Sequence, residues 1–144
     1  MRALERWGWE AARWAGRGDE QRGLSSVAVA GAAAAFVCLF MPWLSFAGHS
    51  QAGWDIPLGT YFGLLALATV LVEVATARSD VVAFCLDAAA GIVGISEVAN
   101  LRWGGFLGGG FVVFGYGAWL GLACAILLIG VAALRLAVLR RSAR

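Results

Sequence analysis

The sequence predicts an all-α membrane protein, with four transmembrane helices in an up-down bundle preceded by a short amphipathic interfacial helix. Three observations carry that expectation. Of 144 residues, 61% are apolar and only 14% are charged, and the mean hydropathy is +0.80. Soluble domains hold about 45–50% apolar and about 25% charged residues. Four separate apolar stretches each reach the roughly 20 residues that cross a bilayer core. The arginines also gather at alternate ends of those stretches. A disordered chain, a coiled coil and a nucleic-acid-binding module are excluded by this composition, and a net charge of +2 gives no footing for a polyanion. All 11 cationic residues are arginines and 20 residues are glycines, a bias that points to a GC-rich bacterial genome.

Residues 1–23 read as a cytoplasmic amphipathic tail and linker. On a helical projection Ala3, Leu4, Trp7, Ala11, Trp14 and Ala15 share one face. Arg2, Glu5, Arg6, Glu10, Arg13 and Arg17 share the other. Such a helix suits the membrane surface. Trp9 falls on the polar side, where lipid does not account for it, so a partner-docking helix stands beside the surface anchor, and an unstructured tail is the third reading. The apolar run that follows exceeds the roughly 7–15 residues of a signal peptide's apolar region, so it is expected to stay as a span.

The transmembrane domain is expected over 24–139, with spans at 24–46, 58–77, 81–101 and 112–138, and 140–144 as a basic cytoplasmic tail. Arg2, Arg6, Arg13, Arg17, Arg22, Arg78, Arg135, Arg140, Arg141 and Arg144 then lie on one side and Arg102 alone on the other. The positive-inside rule puts both termini in the cytoplasm of a bacterial cell, with the protein in its cytoplasmic membrane. Trp43, Trp54, Trp103 and Trp119 fall near the outer boundary, where indoles prefer to sit.

The third span is the weakest. Val81 to Asn100 holds eight Val, Leu, Ile or Phe residues. Their insertion gain of a few kcal/mol is nearly cancelled by Asp87, at about +2.5 to +3.5 kcal/mol for a central Asp. It is expected to insert with the second span, as a hairpin turning at Arg78-Ser79-Asp80, with Asp80 capping the new helix. Gly59 and Gly63, Gly91 and Gly94, and Gly117 and Gly121 mark small faces for close helix packing. They serve either contacts within the bundle or a seam between copies.

Ionisable residues inside a membrane are functional candidates by default. Glu73, Asp87 and Arg135 lie at similar depth towards the cytoplasmic side. They fit a structural ion pair, a proton or cation relay through the two carboxylates, or snorkelling of Glu73 and Arg135 to the interface. On the outer side, His49, Asp55, Glu97, Asn100 and Arg102 form a polar rim. His49, Asp55 and Glu97 are metal-ligand types without diagnostic spacing, so a solvated rim with a Glu97–Arg102 ion pair is expected and no metal or other cofactor. Cys38, Cys85 and Cys124 match no metal or redox spacing and read as small buried hydrophobes.

Two glycine-rich features carry no chemistry. The segment 102–111 lacks the Gly-Lys-Ser/Thr of a phosphate loop and reads as a flexible or re-entrant outer loop. Phe114-Gly115-Tyr116-Gly117 lacks the Thr-Val and the pore helix that a potassium filter needs.

Pro42-Trp43-Leu44-Ser45, Gly53-Trp54-Asp55 and Gly115-Tyr116-Gly117-Ala118-Trp119-Leu120 make residues 24–139 resemble the small four-span membrane proteins common in high-GC Gram-positive bacteria. That resemblance implies a topology and no catalytic residues. The Trp/Arg tail departs from the pattern and hints at a specialised partner.

No nucleophile–base constellation exists around the single His49, so an enzyme is not expected. The expected function is a non-catalytic membrane protein, an accessory or scaffold subunit of a membrane assembly. Its surroundings are the lipid bilayer and a membrane-protein partner or further copies of itself. The alternative is a small oligomeric transporter or channel, proton- or cation-coupled, using Asp87 and Glu73.

Overall fold

The computed structural model describes residues 22–46, 49–75, 80–107 and 113–142. The amphipathic segment with Trp7, Trp9 and Trp14, the turn at Arg78-Ser79 and the Asp80 side chain lie outside the described residues. The elements run α1 (Arg22–Cys38), β1 (Pro42–Phe46), β2 (His49–Ala52), a single 3-10 turn (Gly53–Asp55), α2 (Pro57–Ala75), α3 (Asp80–Leu107), β3 (Val113–Phe114) and α4 (Tyr116–Ser142).

The chain is mostly helical. Three helices, α2, α3 and α4, are long and apolar enough to cross a membrane, and α1 is a shorter apolar helix. The interior faces recur at alternating three- and four-residue steps. In α1 these are Ala28, Ala32 and Ala35, and in α4 Ala118, Ala125, Leu128, Ala132 and Arg135. In α3 they are Ala83, Asp87, Ala90, Gly94 and Glu97. That repeat is the seam of nearly parallel packed helices, and its small residues bring backbones close.

The outward faces are apolar as well. Tyr61, Leu64, Leu71, Val74, Ile92, Trp119, Ile126 and Leu134 are exposed, Val74 by 72%. A contiguous apolar exterior is intolerable in water and is what a bilayer solvates.

Three boundaries differ from expectation, and the simplest is the fourth span, which starts at Tyr116 rather than 112 because Val113 and Phe114 pair with β1, and which runs on to Ser142. The first apolar run, 24–46, is not one helix. α1 stops at Cys38, and the chain tightens through Leu39 N–H to Phe36 O (3.3 Å), Phe40 N–H to Val37 O (3.1 Å) and Met41 N–H to Cys38 O (3.1 Å). Pro42 then forces the extended conformation on its neighbour and cannot donate to a helix. At 17 residues, α1 spans only about 25 Å. The third helix, in contrast, runs beyond 101 to Leu107 and takes in Gly104 and Gly105 from the expected loop. The helix holds there despite the weak helix propensity of glycine.

A small sheet, unannounced by the hydropathy pattern, covers one end of the bundle. Its order is β2-β1-β3, antiparallel throughout. Pro42 faces Ala52 and Phe46 faces His49, while Leu44 pairs with both Gln51 and Phe114. The register slips between Pro42 and Leu44. Such a bulge re-aims a side chain, and here the residue inside it, Trp43, enters the core.

Trp43 is fully buried, against the expectation of an interfacial indole. Its Nε1–H donates to Cys38 O at 2.8 Å, closing the last turn of α1. The ring lies in a cradle of glycines. A Cβ on Gly117 would stand 2.6 Å from Trp43 Cδ1, one on Gly121 2.7 Å from Cζ2, and one on Gly53 2.8 Å from Cε2. Only glycine leaves that room. Gly91 and Gly94 likewise meet Ile129 and Ala125 of α4. The small-residue faces therefore serve contacts within the chain.

Candidate functional site

Three charged side chains meet at the end of the bundle opposite the sheet. Glu73 comes from the last turns of α2, Asp87 from the second turn of α3 and Arg135 from the last quarter of α4. Each sits on the inward stripe of its helix, so helical periodicity alone turns all three to one point. Side-chain exposure is 7% for Arg135, 6% for Glu73 and 0% for Asp87. Neither Glu73 nor Arg135 snorkels outward.

Arg135 contacts both carboxylates. Its Nη2 donates to Glu73 Oε1. Its Nε lies 3.2 Å from Asp87 Oδ2. The second contact is a charge contact without a hydrogen bond, since the Nε–H does not aim at that oxygen and both Asp87 oxygens are buried without a donor. Burial of this kind costs several kcal/mol of desolvation per ion, which a matched pair repays only with good geometry. One turn away on α2, the buried Thr69 hydroxyl donates to Leu65 O at 3.0 Å.

The outer-rim candidates do not converge. His49 and Asp55 are exposed, and Asp55 Oδ2 accepts the Ala52 N–H at 3.1 Å, closing the turn into α2. Asn100 and Arg102 are exposed on α3, and Arg102 lines an apolar cleft with Val98, Phe114, Ala118 and Trp119. Glu97 is not on a solvated rim: it is 2% exposed, on the same inward stripe of α3 as Asp87. No Glu97–Arg102 ion pair forms among the described residues, where both salt bridges belong to Arg135. The described residues hold no cluster of three or more His, Cys, Asp or Glu that could bind a metal.

Sequence reasoning missed two features. Trp43 is the anchor of the sheet end, a role signalled only by Pro42 before it and by the glycine pair Gly117 and Gly121 that receives it. The free thiol of Cys38 is buried and that of Cys124 half-buried, whereas Cys85 is exposed, against the expectation of three buried thiols. Nothing in their spacing announces that. No protein-family model, curated protein or solved structure matches this chain.

Proposed function

We propose that the chain is a non-catalytic integral protein of the bacterial cytoplasmic membrane, an accessory or scaffold subunit of a larger membrane assembly. The four helices form the spanning bundle, with both termini cytoplasmic. Ten of the 11 arginines fall on that side, which supports the orientation. The short α1 fits a bilayer that thins around it or a crossing completed by the segment that follows it. The resemblance of residues 24–139 to the small four-span proteins of high-GC Gram-positive bacteria agrees with this topology.

The observation that carries the reading is the internal use of the triad and of the paired glycine faces along the helices. Arg135 engages Glu73 and Asp87, the glycine faces receive Trp43, Ile129 and Ala125, and the outside is apolar. Such a body is suited to hold a place in an assembly. The Trp/Arg segment before α1 adds an amphipathic tail suited to the membrane surface, with Trp9 on its polar side left for a partner contact.

Native mass spectrometry after gentle extraction from the producing membrane tests this. A stoichiometric membrane partner or a defined homo-oligomer is expected. A monodisperse monomer with no partner in native membranes overturns the reading.

One observation favours transport as a second reading: Asp87 is wholly buried without a hydrogen-bond donor. A carrier or channel using Asp87 and Glu73 requires that Asp87→Asn abolish a proton- or cation-coupled flux in proteoliposomes. A flux untouched by that change removes Asp87 from such a role.

A further inference from the structure

The charges of the triad do not balance. Glu73 and Asp87, both ionised, bring two negative charges to one guanidinium. Arg135 directs a hydrogen bond at Glu73 and none at Asp87. Asp87 Oδ1 and Oδ2 are buried and accept nothing. An ionised carboxylate stripped of water and given no donor is among the costliest groups to bury, and in practice it neutralises instead. No second cation stands beside Asp87 among the described residues. Among the described residues α1 offers only Arg22, exposed at its start, Arg102 belongs to the opposite end of α3, and Arg140 and Arg141 are exposed beyond Arg135. Among the described residues the charged groups facing Asp87 are therefore Glu73 from α2 and Arg135 from α4.

We propose that the triad is a one-proton binding site, with the proton on an Asp87 carboxyl oxygen and Glu73–Arg135 left as the ionised pair. The proton fits this place better than a metal ion. A hard cation wants six or more oxygen ligands, whereas two carboxylates and a guanidinium meet here. A proton needs no cavity. It joins one Asp87 oxygen as an O–H, cancels the surplus charge and leaves the aimed Arg135–Glu73 hydrogen bond intact. Ionisable residues held within a span mark proton sites in this way. The inference rests on the geometry of the triad alone and stands under either reading of function.

Infrared spectroscopy of the full chain in lipid vesicles at neutral pH tests it. Side-chain carboxyls of aspartate or of glutamate are isotope-labelled in turn, which separates Asp87 from the buried Glu97. The expected result is a protonated-carboxyl C=O band that shifts with aspartate label and is lost in Asp87→Asn. That variant should keep its helix content and melting temperature, because a neutral amide replaces a neutral acid of the same shape. Absence of an aspartate-sensitive band overturns the proposal, as does such a band surviving in Asp87→Asn. An Asp87→Asn chain that no longer folds overturns it too, since the site would then need the negative charge. Partner capture plays no part in these outcomes, so failure here is distinct from failure of the scaffold reading.

Discussion

The two ends of the bundle are closed by opposite chemistry. At the sheet end one large aromatic side chain, Trp43, fills a hollow left by Gly53, Gly117 and Gly121. At the other end Arg135 draws α2 and α4 together through Glu73 and meets Asp87 of α3. The first closure depends on shape and the second on charge. In lipid there is no hydrophobic force between helices, so packing and polar contacts must do the joining. This chain assigns one of those to each end.

The largest expected effect comes from removing the cation. Arg135→Ala leaves the buried Glu73 carboxylate without its cation, and breaking a buried pair in this way costs about 3–5 kcal/mol. Unfolding in denaturant titrations of detergent-solubilised protein measures it; a loss below that of Trp43→Ala would reverse the ranking of the two ends. Trp43→Ala is expected to cost about 3 kcal/mol, the lower part of the range for deleting a large buried aromatic. Its mark should be loss of near-UV circular dichroism from a rigid indole. Gly121→Ala tests the same cradle from the other side. A Cβ 2.7 Å from Trp43 Cζ2 forces movement, and overpacking of this kind costs about 1–3 kcal/mol. Stability unchanged in Gly121→Ala would mean that the cradle is loose.

The smallest effect is the most telling about independence. Gly121 and Arg135 are separated along α4 by about 21 Å at 1.5 Å per residue. Sites that far apart add within about 0.5 kcal/mol. A double variant of Trp43→Ala and Arg135→Ala should therefore show a coupling below that value. A larger coupling would make the bundle one cooperative block and erase the distinction between its ends.

How much of this was legible in the sequence follows from the same contrast. Hydropathy marks apolar runs, and it located the cores of α2, α3 and α4 because each is apolar on every side. It could not separate α1 from β1, since Trp43, Leu44 and Phe46 continue the apolar run in another conformation. Pro42 was the available signal of the break. The strands are too short to show an alternating pattern, β3 being two residues long, so the sheet had no periodic signature. Glu73, Asp87 and Arg135 stood out because a charge inside a span is conspicuous. Which carboxylate meets Arg135 depends on how three helices are rotated about their axes, and no single span encodes that. Glu97 was misjudged as rim because the α3 helix runs on past it to Leu107, which draws it inside.

The last helix carries a consequence for the order of synthesis. α4 supplies Gly117 and Gly121 to Trp43 and Arg135 to Glu73 and Asp87. A ribosome delivers it after everything it completes, since chains emerge from the N-terminus at about 5–20 residues per second. Until Tyr116 and beyond arrive, α2 holds Glu73 without its cation, and the Trp43 ring lacks the Gly117 and Gly121 side of its seat. The molecule is thus locked at both ends by a single late event. A chain halted before α4 lacks both closures, whereas one that has finished α4 has Trp43 seated at one end and Arg135 bonded to Glu73 at the other.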